Sequence, residues 1–248
     1  RLLGKKTEDG DKYATKLPPE FVKENPGVSR VELERRYLEW LGQDGVVKLL
    51  SYQRYDGGFG YWGGAAESWP YPSAYATYAL LRGKEAGHAV PDGTLARAAE
   101  WLSNYLNYRH WWSRYDWYYA WTMRTMAAWV LSEMRAQPYI TKYVRERMGL
   151  KKHAHELYAE RARLPLFAKA MLMVTLYRLE GKTAEVKELL RLLANAAIID
   201  TPYQVHFREA ATESLRLLMH SESRTDAIVL QALMEVEPEF PLTVKVVR

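Results

Sequence analysis

The sequence predicts an all-α fold built from paired helices. Residue types that favour helix (Leu, Ala, Glu, Lys and Arg) recur throughout, and β-branched runs are few. Apolar residues also recur three and four positions apart, as one helix face requires, and the clearest such stripe is Tyr119, Met123, Met126, Val130 and Met134. The 11 prolines and 15 glycines lie mostly between such segments. We therefore predict a polar leading segment over residues 1–28 and a single helical domain over residues 29–248.

The first elements follow from caps and breaks. Residues 1–28 are polar and contain Pro18-Pro19, which indicates a long loop. Ser29 followed by Glu32 has the pattern of a capping box, so a helix is predicted to begin there. Gly42 predicts a break in that helix, and a second helix is then expected to run to Gln53.

The later elements continue the same alternation. The pattern predicts a helix from about Ser73 to Glu85, and Pro91-Asp92 opens another. After an aromatic patch, which we define as Tyr105 to Trp121, we predict further helices near 138–148, 154–180, 183–198 and 222–236. Successive helices joined by short loops are usually antiparallel neighbours, so the chain is expected to be a succession of helix pairs.

Composition argues against several classes of protein. The net charge is +5, but the 35 basic residues are interleaved with 30 acidic ones, whereas nucleic-acid binding needs basic residues concentrated on one face. The sequence contains no cysteine, which excludes disulfides, thiolate metal sites and cysteine nucleophiles within it. No apolar run approaches the roughly 20 residues of a membrane span. We therefore expect neither nucleic-acid binding nor direct membrane insertion. Because the sequence begins with Arg1 and not with Met, we also expect it to be a piece of a longer polypeptide.

The most distinctive stretch is a loop rich in glycine and aromatic residues. Asp-Gly-Gly is turn chemistry, so we expect Gly57 and Gly58 to be needed for their backbone angles. Phe59 to Tyr61 favours a short extended segment. A phosphate-binding loop would need a preceding strand and a helix that begins at the glycines, whereas here a helix precedes. We predict a structural loop motif of Gln53, Asp56, Gly57, Gly58, Phe59, Gly60, Tyr61 and Trp62.

The histidines predict no metal site, and we expect no cofactor. His153 and His155 are two apart, so on a helix they point in different directions, and no His-Glu-x-x-His pattern occurs. We predict no catalytic residue: His110, in the aromatic patch, is the one candidate, and we expect it to be a hydrogen-bonded loop histidine. The patch holds more aromatic side chains than one helix face can bury, so some must face a loop, a neighbouring domain or a ligand.

Carboxylates near aromatic residues suggest a second interpretation. Asp56, Glu67 and Asp116 lie close to Trp and Tyr in the sequence, as in a groove that stacks sugars. Glycoside hydrolysis needs two carboxylates that project into such a cleft. However, the aromatic residues also suit a large helical core, and the turn already explains Asp56.

Four stretches together resemble one family. Leu50 to Trp62 resembles the helix end and loop of thioester-containing domains in bacterial alpha-2-macroglobulins, and Trp69 with Ser73-Ala74-Tyr75 resembles the start of the next helix there. The hairpin loop of that family resembles Ala86 to Pro91, and its closing helix resembles Ser223 to Ala227. Related Gly-Gly-Phe loops occur in terpene cyclases and prenyltransferase β-subunits, whose Asp-x-Asp-Asp motif and cysteine-containing zinc set are absent from this sequence.

The resemblance spans roughly residues 30–108 and 221–248 and implies an α/α toroid, incomplete at its N-terminal end. It implies the scaffold domain of a periplasmic or extracellular protease-trapping inhibitor, not an enzyme. The implied partners are the other domains of the parent polypeptide and, through it, the target protease. The Cys-x-Glu-Gln thioester motif of the family is absent here, and His110 lies in the part of the chain where a family histidine can receive the acyl group. The alternatives are a helical-barrel enzyme acting on polysaccharide or isoprenoid substrates and a pure protein-interaction module.

Overall fold

The computed structural model describes residues 17–108, 117–201, 204–209, 216, 218 and 221–246, and it is predominantly helical. The predicted all-α class is confirmed. The α-helices are α1 (Pro19–Lys23), α2 (Arg30–Tyr52), α3 (Pro70–Glu85), α4 (Asp92–Asn107), α5 (Trp117–Met134), α6 (Lys142–Arg147), α7 (Leu150–Ala159), α8 (Leu166–Glu180), α9 (Ala184–Ala196) and α10 (Glu222–Val236). Two strands, β1 (Ile198–Thr201) and β2 (Gln204–His206), pair antiparallel. In the part of the chain that these residues cover, no helix is both long and apolar enough to cross a membrane.

Helix α2 begins where the capping pattern predicts, but it does not break at Gly42. The Ser29 hydroxyl accepts a hydrogen bond from the Glu32 amide at 3.4 Å. The helix then continues to Tyr52, so the predicted break is wrong. A Cβ atom at Gly42 would lie 2.4 Å from Nε2 of His88. The glycine therefore permits the close approach of the loop that carries His88, and it does not end the helix.

The long helix predicted over 154–180 is in fact two helices. Helix α7 ends at Ala159, a 3₁₀ turn covers Arg161–Arg163, and α8 begins after Pro165. Proline lacks the amide hydrogen that a helix interior needs and disfavours helical backbone in the residue before it. The start of α8 is capped from a distance, because the Glu209 carboxylate accepts hydrogen bonds from the Leu166 and Phe167 amides, each at 3.0 Å.

The strands were not expected from the sequence. Helix α9 ends at Ala196, and β1 follows where the prediction continued the helix to residue 198. The Val205 amide of β2 also donates to the Lys245 carbonyl at 3.2 Å, which ties the hairpin to the C-terminal part of the chain. The leading segment differs as well, since it contains the short helix α1 where only a loop was predicted.

The longer helices lie in two layers. In one layer α3 contacts α5, α5 contacts α8, and α8 contacts α10. Helices α2, α4, α7 and α9 pack on the other side of that series, each against one or two of its members. The Tyr78 hydroxyl of α3 donates to Gln231 of α10 at 3.3 Å, so the first and last helices of this series are also in contact. This alternation agrees with helix pairs, while a complete toroid and the boundaries 1–28 and 29–248 stay predictions.

Helix α8 lies at the centre of the core. Its buried residues occupy every side of the helix: Phe167, Ala168, Ala170, Met171, Leu172, Met173, Val174, Thr175 and Leu176. The predicted apolar stripe of α5 is buried as expected, from Tyr119 to Met134. An ion pair adds a polar link, because Arg178 of α8 binds both carboxylate oxygens of Glu235 in α10, at 2.6 and 2.7 Å.

Candidate functional site

The loop over residues 53–69, which we call the 53–69 loop, joins α2 to α3. Its first turn is closed by the Arg54 amide donating to the Gly58 carbonyl at 2.9 Å and by the Gly57 amide donating to the Arg54 carbonyl at 3.0 Å. Further along, the Trp69 amide donates to the Phe59 carbonyl at 2.9 Å. The expected extended segment is reduced to a single β-bridge between Gln53 and Phe59.

Gln53 ties this loop to the start of α4. Its side-chain amide donates to the Gly57 carbonyl at 3.0 Å and to the Thr94 carbonyl at 2.9 Å. Its carbonyl oxygen accepts a hydrogen bond from the Arg97 guanidinium at 2.7 Å. Both ends of the Gln53 amide are thus used within the fold.

Asp56 is the polar centre of the loop. One carboxylate oxygen accepts hydrogen bonds from the Gly58 amide at 3.1 Å and from the Ser68 hydroxyl at 2.7 Å. The other accepts from the indole of Trp101 at 3.1 Å. These three donors link the turn, the end of the loop and helix α4 through one carboxylate. The arrangement suits a structural acceptor, because both carboxylate oxygens accept hydrogen bonds from the loop and from α4.

The glycines of the loop are needed for two different reasons. Gly57 has a φ of +92°, and a Cβ atom there would lie 2.5 Å from the Arg97 carbonyl oxygen. Gly58 is not among the described glycines with positive φ, so the expectation that it is needed for its backbone angle is wrong. Its constraint is space, because a Cβ atom would lie 2.6 Å from Cβ of Ser68 and 2.7 Å from the Trp101 ring. At Gly60 the corresponding distance to Cβ of Ala65 is 2.3 Å.

The aromatic residues of the loop divide into a buried anchor and an exposed tip. Phe59 is buried, and its amide donates to the Ser73 hydroxyl at 2.8 Å, which fixes the loop to α3. Tyr61 is 39% exposed and Trp62 is 65% exposed. The Tyr61 ring lies 5.9 Å from the ring of Trp69, and partial burial raises the pKa of the Tyr61 hydroxyl. The loop is therefore anchored by the buried ring of Phe59 and exposes the rings of Tyr61 and Trp62.

Two predicted candidates lie outside the described residues. His110 and Asp116 both fall within 109–116, so the role of His110 stays a prediction. Glu67 is exposed at the surface of the 53–69 loop. Among the residues described, no group of three or more His, Cys, Asp or Glu side chains is placed to hold a metal ion.

The structure reveals a buried polar cluster that the sequence analysis missed. Arg124 lies in the apolar stretch of α5 and is 1% exposed. Its guanidinium binds the Glu156 carboxylate at 2.8 Å and approaches Nδ1 of His153 at 3.3 Å. It also lies over the Trp121 ring, 4.8 Å from the ring centre. The signals in the sequence were an arginine inside an apolar helix and a His-x-x-Glu spacing in α7.

Hydrogen bonding assigns the tautomer of His153. The Asn107 side-chain amide donates to the Ser103 and Arg147 carbonyls, each at 2.8 Å, so its oxygen is the atom that faces Nε2 of His153 at 3.2 Å. Nε2 therefore carries the hydrogen, and Nδ1 is left to accept from Arg124. Burial lowers the pKa of His153, and the charge of Arg124 lowers it further. The Glu156 carboxylate, 3.4 Å from Nδ1, acts in the opposite direction and raises the pKa of His153, but the net shift is downward and favours the neutral form.

The helices and the 53–69 loop define a domain of the all-α class with two layers of helices. No protein-family model matches the sequence, and a comparison with curated proteins gives no match. Solved structures do match. Trypsin-activated alpha-2-macroglobulin from Escherichia coli matches with a TM-score of 0.60 at 20% identity over 82% of this chain. A fragment of the native Escherichia coli protein, from domain MG7 to the C-terminus, gives 0.62 at 20% over 82%. Salmonella alpha-2-macroglobulin reacted with methylamine gives 0.57 at 22% over 75%.

This chain therefore has the fold of a domain of bacterial alpha-2-macroglobulins. The match covers 12% of the trypsin-activated Escherichia coli chain, 29% of the fragment and 11% of the Salmonella chain. The chain thus corresponds to a small part of these larger molecules.

Replacing Gly57 by Ala should destabilise the domain more than replacing Gly64 by Ala. Both glycines have positive φ, +92° and +73°, but nothing lies within 4 Å of a Cβ atom at Gly64. Backbone strain alone should cost about 1 kcal/mol at either position, and the fixed Arg97 carbonyl adds to it at Gly57. Urea unfolding of the two variants measures the difference, and equal losses of stability would refute the steric constraint at Gly57.

The stability of the domain should fall as the pH falls below 6.5, the ordinary pKa of a histidine. His153 has a lowered pKa when folded, so its contribution is fully present above the unfolded pKa and is lost as the pH falls through the folded value. The free energy of unfolding measured in urea at about pH 7.5 and about pH 5 gives the loss. His153→Gln should reduce that loss, whereas the matched control His155→Gln, at an exposed histidine of the same helix, should not. A loss that is unchanged in His153→Gln would contradict this assignment.

Proposed function

We propose that this chain is the helical scaffold domain of a bacterial alpha-2-macroglobulin-like inhibitor that traps proteases. The observation that carries the proposal is the structural likeness to the Escherichia coli proteins over 82% of this chain. The order of the sequence motifs supports it, because the stretches that resemble the family, Leu50 to Trp62 and Trp69 with Ser73 to Tyr75, follow one another along the chain. The family membership, the toroid and its incomplete N-terminal end are parts of the same proposal.

The proposed role of the chain is mechanical. A protein thioester needs a cysteine sulfur as its leaving group, and the 248 residues contain no cysteine. Any thioester of the parent molecule must then be supplied by other residues of the parent polypeptide. Within this chain, Gln53 and Asp56 use their side-chain atoms in hydrogen bonds within the 53–69 loop and between that loop and α4. This supports a loop that holds helix ends in place.

The partners follow from that role. The chain would contact the other domains of the parent polypeptide and would meet the protease through that molecule, in the periplasm or outside the cell. The enzyme alternative receives no support from the described residues, since Asp56 already accepts three hydrogen bonds. A pure interaction module would be favoured if the parent polypeptide had neither a protease-sensitive bait region nor a thioester.

The isolated chain should form no covalent adduct with an amine or a protease. The test is to incubate it with isotope-labelled methylamine, and separately with active trypsin, and to measure its intact mass. Salmonella alpha-2-macroglobulin, which has been crystallised after reaction with methylamine, serves as the positive control. We expect the control to gain mass and this chain to remain unchanged. An added mass on the chain would contradict the proposal that it is a scaffold without a reactive group.

The inhibitory role is tested on the parent polypeptide. After addition of trypsin, we expect loss of proteolytic activity on a large protein substrate. Any covalent protease adduct should map outside residues 1–248. Full retention of trypsin activity at a molar excess of the parent polypeptide would overturn the proposed function.

A further inference from the structure

A basic cleft beside α6 takes no part in the function proposed above. A cavity of about 480 Å³ opens between the end of α5, helix α6 and the start of α7. Four cationic side chains line it: Arg135, Arg145, Lys151 and Lys152. Two buried apolar side chains, Met148 and Leu150, lie beneath. We call these six residues the basic cleft.

The two arginines of the basic cleft are held in position while keeping donors free for a ligand. Arg135 donates one hydrogen bond to the Arg178 carbonyl at 3.0 Å. Arg145 donates one to the Ile140 carbonyl at 2.9 Å. A guanidinium has five N–H donors, so each arginine keeps several beyond the bond that orients it. Neither guanidinium has a carboxylate partner among the ion pairs of the described residues.

The lysines are only partly neutralised. Lys151 lies 3.5 Å from the Glu180 carboxylate. Lys152 lies 4.0 Å from Glu156, and that carboxylate already binds Arg124 at 2.8 Å. Among the described lining residues there is one acid, Glu146, and its carboxylate lies 3.8 Å from Lys142, outside the lining. Positive charge therefore exceeds negative charge around this cleft.

We propose that the basic cleft binds an acidic peptide segment in which carboxylates flank an apolar side chain. The volume lies within the range of roughly 300–1,000 Å³ that is typical of ligand pockets. The cations come from three successive elements and are oriented by separate partners, so they match carboxylates spaced along a chain better than one compact anion. Ala136, which is exposed, and Leu179, which is half-buried, line the same cavity and supply the apolar surface for the residue between those carboxylates. This proposal does not depend on the function proposed above.

Binding is tested with a capped, fluorescently labelled peptide of four glutamates around one leucine. Fluorescence anisotropy with the whole chain should show saturable binding that weakens as salt is added, because the attraction is between exposed charges. The same peptide with glutamines in place of the glutamates should bind at least about tenfold more weakly. Absence of saturable binding, or equal binding of the glutamine peptide, would overturn the proposal.

Charge-reversal variants locate the binding. The double variant Arg145→Glu with Lys151→Glu should weaken peptide binding about tenfold or more, since it changes the charge of the cleft by four units. The matched control is Lys23→Glu with Lys187→Glu, which makes the same charge change at exposed positions outside the cleft and should change binding by less than about twofold. Equal effects in the two variants would show attraction to net charge alone and would refute the site.

Two further measurements complete the test. Thermal unfolding of each variant checks that it folds, and Lys151→Gln with Lys152→Gln, at two exposed lysines, replaces the charge reversal if that variant is unfolded. Competition with inorganic phosphate and with a short single-stranded DNA separates the ligand classes. Displacement of the peptide by an unlabelled acidic peptide at lower concentration than by either competitor supports the proposal. Stronger displacement by phosphate or DNA would overturn it.

Discussion

The burial of helix α8 on every side is the constraint on which the rest of the fold depends. A helix that is apolar around its whole circumference is stable only when other elements cover all of it. Helices α5, α7, α9 and α10 provide that cover. A helix with one apolar stripe needs one neighbour, whereas α8 needs neighbours all round. The two-layer arrangement follows from this need. Helices α5 and α10 contact α8 within its own layer, and α7 and α9 contact it from the second layer.

Polar groups complete this core where apolar packing ends. Glu209 caps the first turn of α8, and Arg178 near its last turn binds Glu235 of α10. Arg124, on the neighbouring helix α5, is paired with Glu156 and His153 of α7. Leaving such a buried charge without a partner would cost several kcal/mol. These contacts therefore help to specify which helix packs against which.

The same logic applies at the 53–69 loop. Asp56 lies near aromatic residues as a catalytic carboxylate would, but its atoms, like those of Gln53, tie the loop at the end of α2 to α4. Backbone and side chains approach the glycines of this turn closely, and Gly57, Gly58 and Gly60 each lie where a Cβ atom would collide with a neighbour. The loop in which the sequence resembles bacterial alpha-2-macroglobulins therefore positions the surrounding helices.

The sequence predicted what local chemistry decides. The capped start of α2 at Ser29, the start of α4 after Pro91 and the span of α10 follow from signals that lie within one or two turns of chain. The prediction from sequence failed where a contact with a distant residue determines the local structure. Gly42 accommodates His88, which lies 46 positions later in the chain, and the capping of α8 by Glu209 has no local signal. The break at Pro165 is also a local signal, because proline disfavours helical backbone in the residue before it, but the prediction ran one helix through it.

Native-state hydrogen exchange tests the central position of α8 most directly. The amides of Ala170 to Thr175 should exchange only through global unfolding, with a protection free energy equal to the free energy of unfolding measured in urea. The first turns of α2, where Val31 and Leu38 are exposed, should exchange by local opening at much lower free energy. If the α8 amides exchanged by local opening while those of α4 or α10 were protected to the global limit, α8 would not be the element around which the domain is built.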